Sequence, residues 1–119
     1  MKKLFPTSTA GSLPKPTWLA EPEKLWSPWK LESNALLEGK QDALRVSLQE
    51  QLAAGIDIVS DGEQTRQHFV TTFIENLSGV DFENKKTVRI RDRYDASVPG
   101  VIGPVSRQKS VFVEDAKFL

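Results

Sequence analysis

The chain has 119 residues, with 16 Lys and Arg balanced by 16 Asp and Glu, one His and no Cys. This length suits one domain with its own core, but it falls well short of the ~250 residues of a complete eight-stranded β/α barrel. The zero net charge argues against nucleic acid as a partner, and the lack of Cys excludes disulfides, zinc fingers and a thiol nucleophile within these residues.

The first predicted elements form a β/α unit. Residues 7–16 suit a short strand that runs into a Gly-Ser turn, and the clearest helix lies within residues 33–54. The apolar residues of this helix recur at four-residue spacing, at Leu44, Leu48 and Leu52, with Ala43 and Val46 beside them. Gly55 follows where a left-handed residue commonly ends a helix, and residues 56–59 follow as a short apolar strand. This order is typical of proteins with parallel sheets.

The second half of the chain predicts a helix and a hairpin. A second helix is expected to start in the polar turn 60–66, because several apolar residues after it share one helical stripe. These residues are Phe69, Val70, Phe73, Ile74 and Leu77. Residues 80–82 and 87–91 alternate at period two around the polar residues 83–86, which predicts a β-hairpin.

The last two predicted elements are a strand and a helix. Residues 97–105 are expected to form a buried strand between Pro and Gly breakers, and residues 111–119 a helix with three inward residues. The inward residues would be Val113, Ala116 and Leu119. This helix would stop on apolar residues without a polar stop signal, so it looks cut rather than finished.

Two candidate sites follow predicted strands, where functional groups cluster in parallel-sheet proteins. After the first strand, backbone N–H groups near Gly11 and the Ser12 hydroxyl could hold a carboxylate, or they could simply form a turn before proline. After the second strand, Glu63 could accept hydrogen bonds from an ammonium group with Asp61 bracing it. Alternatively, either carboxylate could cap the following helix.

Two further features have open interpretations. His68 lies beside the apolar stripe of the second helix, where a surface or half-buried helix residue is more common than a ligand. The charged run over residues 89–95, which includes Arg93 and Tyr94, is typical of a solvated strand or loop. It could instead grip an anionic substrate, because Arg binds carboxylates through two parallel hydrogen bonds.

Four motifs occur in an order that resembles a known family. They are Thr9-Ala10-Gly11-Ser12-Leu13-Pro14, Asp61-Gly62-Glu63-Gln64-Thr65-Arg66, Gly79-Val80-Asp81-Phe82 and Val98-Pro99-Gly100-Val101-Ile102-Gly103-Pro104-Val105. Together they resemble the start of the catalytic barrel of cobalamin-independent methionine synthase, and more closely its short single-barrel relatives. The implied fold class is α/β, as the amino-terminal part of a (β/α)8 TIM barrel that is incomplete in this chain and carries an inserted β-hairpin. The resemblance covers nearly all of residues 1–119, as one portion of a domain.

The resemblance implies a zinc-dependent methyltransferase. In this family zinc binds homocysteine as a thiolate, and methyl transfer from methyltetrahydrofolate gives methionine. The family's zinc ligands are His, Cys, Glu and Cys in later strands of the barrel, so these residues alone are expected to bind no zinc. The implied partners are a small-molecule thiol and a methyl donor, with no nucleic acid and no membrane.

The resemblance also assigns roles to individual residues. Ala10, Gly11 and Ser12 match the segment that holds the substrate carboxylate, and Glu63 matches the acid that holds the substrate amine. None of these residues would make or break bonds. Three more residues are expected as substrate or folate contacts, on weaker correspondence: Asp61, which stands where larger synthases often have His, and Arg93 and Tyr94, which fall near the family's folate-contacting Arg-Cys pair.

These implications leave alternatives of other classes. The chain could be a relative that acts on another thiol such as coenzyme M. It could also be a catalytically inactive truncated product that self-associates through open sheet edges as a homo-oligomer. The first residues carry two lysines without an apolar run behind them, and no apolar run approaches the ~20 residues that span a bilayer. A cytoplasmic protein is therefore expected, and the 119 residues alone are expected to be inactive.

Overall fold

A computed structural model of the chain describes residues 4–21, 27–68 and 70–119. Within them the elements are α1 (Ser33–Ala53), α2 (Thr71–Ile74), β1 (Leu77–Ile90), β2 (Tyr94–Arg107) and α3 (Val113–Phe118). The chain divides into two compact units, the first Met1–Phe69 with Asp115–Leu119 and the second Val70–Glu114. The expected α/β class is confirmed.

Helix α1 confirms the helix predicted within residues 33–54. Ala, Leu, Gln, Glu and Lys dominate its sequence, and all of them are good helix formers. The helix ends in a Schellman motif, in which Gly55 N–H donates to Leu52 O and Ile56 N–H donates to Gln51 O, each at 3.0 Å. Gly55 has a φ of +75°, in the left-handed region where a side chain is costly.

The buried face of α1 differs from the leucine stripe that its spacing indicated. The buried residues are Gly39, Ala43, Leu44, Ser47 and Gln51. Leu52 is 63% exposed and Val46 is 44% exposed. A Cβ atom on Gly39 would crowd the side chains of Leu31, Leu19 and Trp18, so small residues let the preceding loop approach the helix closely. The spacing therefore predicted the helix correctly. Of the five residues on its apolar stripe, Ala43 and Leu44 are buried, Leu48 is half-buried, and Val46 and Leu52 are exposed.

The two predicted strands of the first unit meet at a single point. Ser8 and Ile58 form an isolated parallel bridge, and Ile58 N–H donates to Thr7 O at 2.9 Å. Asp57 reinforces this contact, because its carboxylate accepts hydrogen bonds from the Thr7 N–H at 2.7 Å and the Thr7 hydroxyl at 2.8 Å. The predicted strands are thus much shorter than expected, but their parallel pairing is correct.

The second unit consists mainly of a long antiparallel hairpin of β1 and β2. A hairpin is present, but it is not the one predicted: residues 80–82 and 87–90 lie in the same strand, β1, so the turn predicted at residues 83–86 is wrong. Those residues lie in an irregularity of β1, where the Asp81 carboxylate accepts hydrogen bonds from Glu83 N–H at 2.9 Å and Asn84 N–H at 3.0 Å. Beyond this irregularity the same strand continues to Ile90.

The actual hairpin turn lies between Ile90 and Tyr94. Arg91 and Asp92 have φ values of 48° and 53°, and Arg93 N–H donates to Ile90 O at 2.9 Å. This arrangement matches a type I′ turn, which usually contains Asn or Gly. Neither position carries Gly or Asn, and Asp92 stands among arginines, so the charged run over residues 89–95 was not recognised as the turn.

The strand predicted as buried over residues 97–105 forms part of β2, but it is largely exposed. Val101 and Ile102 are 72% and 73% exposed, and Val105 is 51% exposed. The prediction of burial is wrong because, among the described residues, the hairpin is a two-stranded sheet without a second layer over these side chains. A buried strand needs cover on both faces.

The predicted second helix is shorter than expected, and the predicted last helix exposes its expected inward face. Helix α2 has only four residues, because Leu77 already pairs with Arg107 in the hairpin. Phe69, the first residue of its predicted stripe, lies outside the described residues, as do residues 1–3 of the amino-terminal segment. The inward face predicted for α3 is wrong: Val113 is 42% exposed, Leu119 is 54% exposed, and Ala116 is also exposed.

The carboxyl-terminal part of α3, from Asp115 onward, belongs to the first unit and packs within it. Thr65 Oγ1 donates to the Asp115 carboxylate at 2.9 Å, and the Arg45 guanidinium lies 4.9 Å from the centre of the Phe118 ring. In the described part of the chain, no helix is long and apolar enough to cross a membrane.

Candidate functional site

The two sequence motifs at the ends of the predicted strands lie side by side. Beyond the bridge at Ser8 and Ile58, Leu13 N–H donates to Gly62 O at 2.9 Å. The two segments therefore run next to each other from the bridge to residue 13. Residues about 50 positions apart in sequence are brought together in this way, as expected for neighbouring parallel strands.

Ser12 and Glu63 are in direct contact. The Ser12 hydroxyl donates to Glu63 Oε2 at 2.5 Å, a short charge-assisted hydrogen bond. Ser12 is exposed and Glu63 is half-buried, so both groups are accessible from solvent. Gly11 and Ala10 are exposed beside them, and Gly11, with a φ of 78°, has open space where a side chain would stand. Four of the residues predicted for substrate binding thus share one location.

Asp61 braces the local backbone. Its two carboxylate oxygens accept hydrogen bonds from Arg66 Nη2 at 2.9 and 2.8 Å, and its Oδ1 also accepts the Glu63 N–H at 3.1 Å. Both members of the ion pair are largely buried, with 19% and 18% of their side chains exposed. Glu63 has a φ of 58°, and the hydrogen bond from its N–H to Asp61 helps to hold this left-handed conformation.

Gln64 joins the two segments next to the clamp, which is the contacting pair of Ser12 and Glu63. It is 1% exposed, and its Nε2 atom donates to Leu13 O at 3.0 Å and Gly62 O at 3.2 Å, with a longer contact to Pro14 O. Gln51 of α1 also links the two segments, because its side-chain amide makes hydrogen bonds with Thr9 and Ser60. Sequence reasoning missed both glutamines, because patterns of apolar residues carry no signal for a buried amide.

The charge of Glu63 affects the pKa of two nearby groups, Lys15 and His68. Burial lowers the pKa of Lys15 below its ordinary value; Glu63 and Asp61 oppose this shift, while Arg66 adds to it. Burial also lowers the pKa of His68, and Glu63 opposes that shift. His68 is half-buried, as expected, but it precedes α2 and does not lie in a helix, so that part of the prediction is wrong. Lys15 was not predicted as a site residue.

Arg93 and Tyr94 lie at the turn of the hairpin, in the second compact unit. Arg93 is exposed, and Tyr94 is 46% exposed and pairs with Ile90. Their expected contact with substrate or folate stays a prediction.

No metal site is found in residues 4–21, 27–68 and 70–119, where no group of three or more His, Cys, Asp or Glu side chains could hold a metal ion. A cleft of about 400 Å³ lies behind the clamp, between residues 13–16 and the α1 residues Ala43, Val46 and Glu50. Ser12 and Glu63 do not line this cleft. Ser12 is exposed and Glu63 is half-buried, so solvent reaches the clamp directly.

Comparison with known proteins identifies the family. The family described as cobalamin-independent synthase, catalytic domain, matches residues 5–118. The chain belongs to this family. Relatives include methionine synthase of Sulfolobus acidocaldarius, 31% identical over 115 residues, and that of Saccharolobus solfataricus, 30% identical over 115 residues. Each alignment covers 97% of this chain but only 33% and 34% of the relative.

A solved structure likewise matches nearly all of this chain with about a third of its own length. The B12-independent methionine synthase of Shewanella sp. W3-18-1, in complex with selenomethionine, is 79% identical with a TM-score of 0.90. The match covers 98% of this chain and 34% of that one. This synthase-family chain therefore spans about a third of the length of the relatives it matches.

Proposed function

We propose that this chain is the amino-terminal portion of a methionine-synthase-like TIM barrel and that it supplies the amino-acid clamp of a methyltransferase that makes methionine. The observation that carries the proposal is the direct contact of Ser12 with Glu63. The two charged groups of an α-amino acid are attached to one carbon. A hydroxyl donor and a carboxylate that touch each other can therefore engage both groups at once.

In the proposed complex, binding exchanges one hydrogen bond for two. The Ser12 hydroxyl now donates to Glu63 and would turn to donate to the ligand carboxylate. Glu63 would accept hydrogen bonds from the ligand ammonium, with its backbone held by Asp61. The exposed Gly11 leaves room for close backbone approach to the carboxylate. The substrate would be homocysteine or a similar thiol amino acid, and selenomethionine in the Shewanella relative supports this class of ligand.

The clamp orients the ligand but performs no chemistry of its own. Zinc, which the family resemblance implies, does not fit these residues: the chain contains no Cys and one His, and the described residues hold no suitable cluster. The metal ligands would have to come from residues outside these 119. Residues outside these 119 would also contribute to the site of the methyl donor. The 119 residues alone are proposed to be inactive.

The proposal is tested by following backbone amide resonances while L-methionine is added to millimolar concentration. The amides of Gly11, Ser12 and Glu63 are expected to shift. Two ligand analogues assign the roles: one lacks the ammonium and the other lacks the carboxylate. Each should bind about tenfold more weakly than methionine, because a charged hydrogen bond contributes roughly 1.5–3 kcal/mol.

The variants complete the assignment. Glu63→Gln should weaken methionine binding but leave binding of the analogue without ammonium unchanged, and Ser12→Ala should behave in the same way toward the analogue without carboxylate. Glu38→Gln, an exposed change on α1, is the matched control and should change nothing. Unshifted amides with wild-type protein, or equal methionine affinity in Glu63→Gln, would contradict the proposal.

A second candidate function is self-association without catalysis, for which the hairpin provides a specific observation. Val101, Ile102 and Val105 place a mostly exposed apolar stretch on β2. An exposed apolar strand with an open edge is a template for pairing with a second copy. Light scattering would reveal a dimer that Ile102→Lys converts to a monomer, whereas a wild-type monomer at all concentrations would exclude this alternative.

A further inference from the structure

Gln51 is a buried amide at the last turn of α1. It is 4% exposed, although it lies within two residues of the helix end. Its Oε1 accepts hydrogen bonds from Ser60 N–H at 3.0 Å and the Thr9 hydroxyl at 3.1 Å. Its Nε2 donates to Ser60 O at 2.9 Å and to Ser47 O at 3.1 Å. Both ends of the amide are therefore fully used.

The contact with Ser60 resembles the pairing of two strands. A side-chain amide carries one acceptor and one donor group, as a peptide group does, and Gln51 uses both on the N–H and the C=O of Ser60. This double contact also fixes which end of the amide carries the oxygen. Gln51 thus pairs with Ser60 between the bridge at Ser8 and Ile58 and the hydrogen bond from Leu13 to Gly62.

The same amide contacts both of the segments that carry the clamp residues. Thr9 lies three residues before Ser12, and Ser60 lies three residues before Glu63. The Thr9 hydroxyl also contacts the Ser60 hydroxyl at 2.9 Å, and Ser60 Oγ accepts the Gly62 N–H at 3.2 Å. One helix side chain therefore holds together the two segments that present Ser12 and Glu63.

We propose that Gln51 is a positioning residue, which sets the separation of Ser12 and Glu63 and thereby the affinity for the amino-acid end of the ligand. This inference rests on the proposed function. Gln51 touches no ligand itself; it acts through Thr9 and Ser60. A buried amide satisfied at both ends fixes one geometry, whereas an apolar side chain of similar volume would fill the space without specifying a register.

The test compares three variants of the full chain. Gln51→Leu removes the donor and the acceptor while keeping most of the volume. Gln51→Glu keeps the acceptor, and only its protonated form can donate to Ser60 O. Gln49→Leu makes the same Gln-to-Leu change at an exposed position of the same helix, so it controls for effects on helix propensity and solubility.

Three measurements separate positioning from folding. Methionine binding is measured by amide shifts, overall stability by urea unfolding, and local order by hydrogen exchange of the Leu13 amide, which donates to Gly62 across the two segments. In Gln51→Leu we expect binding about tenfold weaker and Leu13 exchange about tenfold faster, while the amides inside α1 keep their protection. Gln49→Leu should match the wild type in all three.

The Gln51→Glu variant provides a rescue. A buried carboxyl that faces carbonyl oxygens has a raised pKa, so lowering the pH should protonate it and restore binding relative to the wild type at the same pH. Unchanged Leu13 exchange and binding in folded Gln51→Leu would overturn the inference while leaving the proposed function intact. Loss of protection in all of α1 would also overturn it, because the role of Gln51 would then be general stability. If wild-type protein fails to bind methionine, the proposed function fails, and the inference about affinity fails with it.

Discussion

A Cβ atom placed on Gly62 would lie 2.8 Å from the hydroxyl oxygen of Ser47. Ser47 is 5% exposed, and its hydroxyl accepts a hydrogen bond from Gln51 Nε2 at 3.2 Å, so it cannot simply turn away. Gly62 itself has a φ of 57° and is buried between the clamp and α1. The helix and the second strand segment therefore approach each other at a distance that only glycine allows.

The first prediction is that Gly62→Ala lowers the free energy of unfolding by roughly 2–4 kcal/mol, as the sum of left-handed strain and crowding. Gly55→Ala is the matched control: its φ of 75° is equally unfavourable, but no atom lies within 4 Å of the added Cβ. That variant should lose only roughly 1–2 kcal/mol in urea unfolding. Adding Ser47→Ala to Gly62→Ala should recover part of the difference. Equal losses in both glycine variants would show that crowding contributes nothing.

The second prediction concerns the largely buried pair of Asp61 and Arg66. Asp61→Ala should cost roughly 1–3 kcal/mol of stability, because it removes the two hydrogen bonds from Arg66 to the Asp61 carboxylate and the acceptor of the Glu63 N–H. The exposed pair of Asp42 and Arg45 has a shorter N–O distance, 2.6 Å, with 62% and 55% of the two side chains exposed. Asp42→Ala should nevertheless cost less than about 0.5 kcal/mol, because water screens that pair.

Urea unfolding at low and high salt checks this second prediction. The Asp61→Ala loss should persist at high salt, while any Asp42→Ala effect should vanish. Asp61→Asn keeps an acceptor for the Glu63 N–H and should fall between wild type and Asp61→Ala. Similar losses for Asp61→Ala and Asp42→Ala would contradict the importance of burial.

The elements that the sequence predicted correctly are those with a local signal. Gly55 marks the end of α1 because the Schellman motif needs a left-handed residue immediately after the helix. Ser12 and Glu63 were predicted from motifs that follow strands, and the structure brings the two together. Their roles in binding came from the family resemblance, and they stay predictions.

The features that the sequence did not predict lack a recognisable local pattern. Gln51 is buried only because it pairs with Ser60, which no helical pattern reveals. The hairpin turn was placed too early because Arg91 and Asp92 adopt left-handed conformations without the Gly or Asn that usually signals them. The segment around Ile102 has the apolar composition of a buried strand, but Ile102 is exposed. Burial depends on a covering layer, which the local sequence does not specify.

The third prediction concerns the dependence of stability on pH. The pKa of His68 in the folded chain is lowered from 6.5, mainly by burial. As the pH falls, His68 therefore gains its proton earlier in the unfolded chain than in the folded chain, and this difference favours unfolding. The contribution to stability is therefore complete above pH 6.5 and is lost as the pH falls through the pKa of the folded state. Unfolding midpoints in urea between pH 8 and pH 5 should decrease in this window, and His68→Gln should flatten the slope.

A companion variant tests the cause of this shift. The carboxylate of Glu63 raises the His68 pKa against the effect of burial, so Glu63→Gln should lower that pKa further when the imidazole is titrated by NMR. The carboxyl pKa of Asp81 is also lowered, mainly by its hydrogen bonds with Asn84, but from 3.8. Its contribution is lost only in more acidic solution, outside the window of His68. A His68 pKa that rises in Glu63→Gln would refute the assignment.

The fourth prediction concerns the turn of the hairpin. Replacing Arg91 by Asn and Asp92 by Gly should stabilise the hairpin by roughly 1–2 kcal/mol, because both new residues tolerate the left-handed conformation that the turn requires. The contact of Arg89 with the turn is retained, since its guanidinium donates to the backbone oxygen at position 92. Exchange of the Arg93 amide, which closes the turn, should slow accordingly. Arg91→Lys keeps the strain and is the control, and faster Arg93 exchange in the Asn-Gly variant would show that the turn is not strained.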